Sequence, residues 1–140
     1  ENNVMPKKTK EYLNTGMTEA AFRSFIVSGL RSKSNFWKPK QQCLRNARVS
    51  TGKYRCACCN KIVPATIKGF YKTGKKAGKP KRIRNILADH VDPVVPVTGW
   101  VSYDSFVERM YVDVDGYQAL CKNCHDKKTA EERILRKKFS

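Results

Sequence analysis

Two histidines and six cysteines are the residues of this 140-residue chain with most chemistry in them, and they are not scattered. Four cysteines form two knuckles, Cys56-x-x-Cys59 and Cys121-x-x-Cys124. Thiolates at that spacing can converge on one tetrahedral Zn(II), at about 2.3 Å from each sulfur. Chelation would close a loop of 69 residues, Cys56 to Cys124 inclusive, so the segment between the knuckles must itself be structured. Disulfides or a redox Cys-x-x-Cys are the competing chemistry, and the expectation of an intracellular chain disfavours disulfides. Cys58 competes for a ligand position in the first knuckle, and Cys43 suits a buried thiol better than a fifth ligand. Both histidines fall inside the same stretch: His90 directly after Asp89, and His125 directly after Cys124.

Positioning these groups is the work of the flanking elements. Residues 1–16 are polar and lysine-rich and read as a mobile arm. Thr18 can cap a helix to about Arg31, whose Phe22, Phe25, Ile26 and Leu30 recur on one face as a core stripe. Leu44, Ala47 and Arg48 suggest a short helix before a turn at Gly52, and Trp37 suits the core better than a base-stacking role. The glycine- and lysine-rich segment 69–80 predicts a flexible basic loop. Residues 83–91 turn apolar and β-branched, a strand ending at Asp89-His90 and closed by Pro93 and Pro96. Ser102 can cap a short helix carrying Tyr103, Phe106, Val107 and Met110. A second strand over 111–114 or 117–120 precedes a last helix, 122–137, with Cys124 and His125 in its first turn. Neighbours on a regular strand point to opposite faces, so a shared site for Asp89 and His90 calls for a bend at the strand end.

Charge separates along the chain. Lys and Arg number 29 against 12 Asp and Glu, a formal +17, and the segments 1–54, 55–87, 88–120 and 121–140 carry +8, +10, −5 and +4. A basic body around one acidic strip suits a chain that grips a polyphosphate while offering carboxylates to a cation. Leu, Ile, Val and Phe make up about 21% of residues, just above the roughly 20% level below which charged chains stay unfolded. Side chains alone make a thin core, and structural zinc, at about 10–16 kcal/mol of apparent binding energy, would hold it. No run of 18 apolar residues and no signal-peptide pattern is present, so the expectation is a soluble, cytoplasmic protein with no membrane partner.

Taken in order, CACC, ADHVDPVVP and GYQALCKNCHDKKTAEE over residues 56–132 resemble the HNH nuclease family, in particular small phage and bacterial members with a four-cysteine zinc site. FWKP and ARVSTGKYRC, upstream, resemble the lead-in of phage members. The resemblance implies an α+β fold: a small zinc-stabilised ββα-metal core over 55–140, an added helical segment over 17–54 packing on it, and the arm over 1–16. It implies that His90 is the general base, that Asp89 and His125 hold a catalytic divalent cation, and that Cys56, Cys59, Cys121 and Cys124 hold structural zinc. Mg(II) or Mn(II) is the first choice for the catalytic cation, with Ni(II), Co(II) or Zn(II) admitted by the imidazole ligand. Gly116 stands where the family motif has its middle Asn, a departure that leaves Asp113, Asp115 or backbone groups to brace the base.

The resulting expectation is a metal-dependent endonuclease hydrolysing DNA with low sequence specificity, a nicking monomer or a weak homodimer, RNA not being excluded as substrate. The rival is a zinc-stabilised nucleic-acid-binding module without catalysis. Phosphate contacts fall to Lys72, Lys75, Lys76, Lys79, Lys81, Arg82 and Arg84 on the basic loop, and to Lys127, Lys128 and Arg133 on the last helix.

Overall fold

A computed structural model describes residues 14–140, so residues 1–13 of the expected arm lie outside the described residues. The chain divides into two units between Asn35 and Phe36.

Helix α1, Glu19–Lys33, dominates the first unit. Its cap is the expected one: the Thr18 hydroxyl accepts from the Ala21 amide at 3.0 Å. Glu19 in the first turn and Arg31 and Lys33 in the last complement the helix dipole. The core stripe is not realised. No α1 residue is buried, Phe25 is 63% exposed, and Phe22, Ile26 and Leu30 are only half-buried. A stripe becomes core only when a second apolar surface closes on it, and this unit's described residues contain no other long helix and no strand.

The second unit is α+β. Helix α2, Lys38–Ala47, starts with Pro39 in its first turn, where a missing amide costs nothing. A three-stranded antiparallel sheet follows: β1 Arg48–Ser50, β2 Lys53–Arg55 and β3 Ile62–Pro64. Strands β4, Thr66–Phe70, and β5, Pro80–Arg84, form a two-stranded ribbon. Strands β6, Ile86–His90, and β7, Tyr117–Cys121, form another. Between these last two lies α3, Tyr103–Met110, capped as expected by the Ser102 hydroxyl, which accepts from Ser105 at 3.0 Å. Helix α4, Lys122–Lys137, follows β7 without a break.

Two expectations change here. The basic segment 69–80 is no free loop: Gly69 and Phe70 end β4, Pro80 opens β5, and residues 71–79 are tied by turn bonds such as Gly78 N–H to the Tyr71 carbonyl at 2.8 Å. The strand expected over 83–91 is two strands in different sheets, broken at Asn85. That side chain is buried, and its groups explain the switch. The Asn85 amide donates to the Ala65 carbonyl at 2.8 Å, its Nδ2 to the Pro64 carbonyl at 3.1 Å, and its carbonyl accepts from Lys122 at 3.1 Å. Each buried polar group finds a partner only if the chain leaves one ladder and enters the next.

The core sits between α2 and the β6–β7 ribbon. Cys43, Ile86, Tyr117 and Ala119 are buried together, with Trp37, Leu44 and Val112 against them. Trp37 is thus core, its indole N–H donating to the Val112 carbonyl at 2.7 Å. No helix among the described residues is long and apolar enough to cross a membrane.

Candidate metal centre and the strand carrying Asp89 and His90

Cys56, Cys59, Cys121 and Cys124 offer four sulfurs within 4.8 Å of one another. The first pair comes from a tight turn after β2, closed by Asn60 N–H to the Cys56 carbonyl at 2.9 Å, with Asn60 itself at φ 64°. The second pair straddles the junction of β7 and α4. An amide bond from Ala57 to the Ala119 carbonyl, 2.8 Å, fastens the turn to β7. Four sulfurs each about 2.3 Å from a tetrahedral zinc stand about 3.8 Å apart, and Cys59 and Cys121 are already 4.0 Å apart. The donor set fits a structural metal ion such as zinc. Cys58, though adjacent, is exposed and outside the cluster, and Cys43 is a buried thiol elsewhere, its pKa raised by burial.

The thiols differ in their readiness to ionise. Burial pushes Cys56 up, but amide donors from Cys121, Cys59 and Cys58 outweigh it and bring it to about 6. The Cys121 amide is one of these, 3.3 Å from the Cys56 sulfur. Cys121 and Cys124 are pushed upward, first by burial, and the Cys56 thiol adds to the rise at both. A cation bound at these sulfurs would displace their remaining thiol protons.

A second cluster forms where β6 faces α4. Asp89, at the penultimate position of β6, and His125, in the first turn of α4, bring Oδ1 and Nε2 to 3.9 Å. Lys128, one turn further along α4, sets Nζ 2.8 Å from the other Asp89 oxygen, 2.7 Å from Glu132 and 3.1 Å from the His90 carbonyl. Burial lowers the Lys128 pKa, but the two carboxylates prevail and raise it. Gln118, opposite Asp89 in the ladder, makes a long 3.5 Å contact to the same oxygen. A cation bonded at about 2.1 Å to a carboxylate oxygen and an imidazole nitrogen, at 90–109°, wants them roughly 3.0–3.4 Å apart. At 3.9 Å the two atoms stand wider than that.

His90 does not join this pair. No bend interrupts β6: the ladder runs in register to His90 opposite Tyr117 and continues with Val91 N–H to the Gly116 carbonyl at 2.9 Å. Asp89 therefore meets α4, while the His90 ring lies against the Tyr117 ring, centroids 4.8 Å apart, with Nε2 2.8 Å from the Met110 carbonyl. The Tyr117 hydroxyl donates to that carbonyl too, at 2.8 Å. A carbonyl only accepts, so Nε2 carries the proton and a neutral ring has its lone pair on Nδ1. Beside the ring is a cavity of about 120 Å³ lined by His90, Asp92, Glu108, Arg109, Val112 and Gly116.

The glycine at position 116 has a steric cause. A Cβ on Gly116 would meet Val112 at 2.5 and 2.8 Å, so no side chain fits while Val112 stands there. The His90 ring is held from the backbone, by the Met110 carbonyl. Residues that sequence reasoning left out are Met110, Tyr117 and Glu132. Only Glu132 left a trace, its i,i+4 spacing from Lys128. Of the residues expected to contact phosphate, Lys72, Lys75, Lys76, Lys79, Lys81, Arg82, Arg84, Lys127 and Arg133 are exposed, whereas Lys128 is half-buried and committed to Asp89 and Glu132.

Comparison of the chain with protein-family models, with curated proteins and with solved structures returned no match.

Proposed function

We propose that this protein is a metal-dependent endonuclease of the HNH type acting on DNA, built on a zinc-braced ββα-metal core. The observation that carries the reading is the meeting of Asp89 and His125, 36 positions apart in the chain, at 3.9 Å, each next in sequence to another residue of the expected sites, His90 and Cys124. Phosphodiester hydrolysis needs an activated water, charge stabilisation and relief for the departing oxygen. Asp89 Oδ1 and His125 Nε2 are the residues that would hold a divalent cation, Mg(II) or Mn(II) first, whose contribution is Lewis-acid stabilisation of the leaving oxygen. His90, its Nε2–H held by the Met110 carbonyl, would use Nδ1 to take a proton from water. Lys128 holds the Asp89 carboxylate and the His90 carbonyl from one ammonium, so both residues of the strand end are set from a single point.

A second reading, a zinc-stabilised module that binds nucleic acid without cutting it, draws on the same geometry. Asp89 is already neutralised by Lys128, and Gly116 offers no side chain to the base. Supercoiled plasmid incubated with the full chain and added Mg(II), Mn(II) or Ni(II) separates the two. The nuclease reading expects nicking that needs the added cation and is lost in His90→Ala and His125→Ala, each still folded. Tight binding with no nicking under any of the three cations supports the module.

A further inference from the structure

The β4–β5 ribbon has no role in holding either cluster, yet it carries the densest charge in the chain. From Thr66 to Arg84 there are eight Lys or Arg and no Asp or Glu. The register sorts them. Thr66 pairs with Arg84, Lys68 with Arg82 and Phe70 with Pro80, and these pairs share one face; Ile67 with Ile83 and Gly69 with Lys81 share the other. The first face is thus a cationic ladder of Lys68, Arg82 and Arg84 ending in an apolar pair at the tip. Phe70 is 64% exposed, a large ring left in water at the start of a tip, residues 71–79, that carries four lysines. The second face is closed locally: the Ile83 side chain lies over Gly69, in the space a Cβ would need.

We propose that this ribbon is a duplex-DNA arm that enters the major groove, with Lys68, Arg82 and Arg84 on the phosphates and Phe70 with Pro80 against base edges. The dimensions suit it. Five residues per strand give about 17 Å of length, and a ribbon two strands wide is what a groove of about 12 Å admits. Charge complementarity selects a polyanion, and the narrow two-strand shape selects a groove over a flat surface. A-form RNA offers side chains only a deep, narrow major groove, so duplex RNA is a poor fit. This deepens the nuclease reading by naming where the duplex is held, and it stands on binding alone.

The test measures binding of the full chain to a 20-base-pair DNA duplex by fluorescence anisotropy over a KCl series, with no divalent cation added. Each phosphate contact contributes about 0.9 to the slope of log K against log salt. Replacing Lys68, Arg82 and Arg84 together by Gln should flatten the slope by about 2.7. The same charge removed at exposed Arg45, Lys53 and Lys61 should leave it nearly unchanged. Phe70→Ala should weaken binding several-fold at unchanged slope, and duplex DNA should outcompete the single strand and the RNA duplex of the same sequence. The proposal is overturned by an unchanged slope in the ribbon variant, by an equal loss in the control, or by preference for single strand or RNA duplex. Cleavage is scored separately: a chain that binds through the ribbon but never cuts defeats the nuclease reading alone, and one that cuts with unaltered binding after the ribbon charges are gone defeats this proposal alone.

Discussion

Replacing Cys59 by Ser probes the metal without disturbing the packing. Cys59 is exposed, so a hydroxyl there removes a ligand and leaves no cavity, in contrast to Cys56 and Cys121, which are buried. The apolar core of the described residues has ten buried members, and Cys56 and Cys121 are two of them. A domain of this kind has roughly 5–15 kcal/mol of net stability, and a four-thiolate zinc contributes about 10–16 kcal/mol of apparent binding energy that is also folding energy. The metal term is as large as the total, so losing it should unfold the unit beginning at Phe36 rather than merely loosen it. Thermal unfolding by circular dichroism, with zinc content by atomic absorption, is the assay. Cys59→Ser is expected to lose its zinc and its cooperative transition, and Cys58→Ser, outside the cluster, to keep both. A Cys59→Ser protein that has lost zinc yet melts at the unchanged temperature would refute the reasoning. The pH dependence has a definite sign: Cys56 is lowered from 9.0 to about 6, so its contribution is present above 9.0 and lost as pH falls through about 6. Because the ligands must be deprotonated to bind, zinc should be held at neutral pH and released on acidification.

Restoring a side chain at Gly116 should harm the protein rather than improve it: Gly116→Asn is expected to cost about 1–3 kcal/mol through overpacking on Val112, and Gly116→Asn with Val112→Ala to recover part of that loss in urea unfolding. Tyr117→Phe removes the hydroxyl bond to the Met110 carbonyl and should cost about 0.5–1.5 kcal/mol. Burial pushes the Tyr117 phenol from 10.0 up to about 12, so the parent's stability should fall as pH rises between those values, and the Phe variant should lack that step. Lys128→Gln takes an ammonium from between Asp89 and Glu132 and should cost about 1–3 kcal/mol at neutral pH, read by the same urea unfolding.

Much of this protein was written locally in the chain. Thr18 and Ser102 mark their helices because a hydroxyl before a helix has amides within reach whatever surrounds it. The two cysteine knuckles were legible because each is a short-range pattern, and a loop of any length between them can close on one ion. Individual helices and short strands were read from local periodicities, while the α+β core with a strand before the helix of His125 was what the resemblance implied. Tertiary structure decided the rest, because the deciding contacts join distant residues. Asn85 divides one apolar run into two strands only through its bonds to Ala65, Pro64 and Lys122. The basic segment became a ribbon because β4 lies opposite β5, a pairing that lysine and glycine content does not encode. Cys58 and Cys59 are equivalent in composition, and only the turn at Asn60 with its tie to Ala119 aims one sulfur at the cluster and the other at solvent. Asp89 and His90 are neighbours in sequence, but an unbroken ladder sends one to Lys128 and His125 and the other to the Met110 carbonyl, since strand geometry alternates side chains between faces.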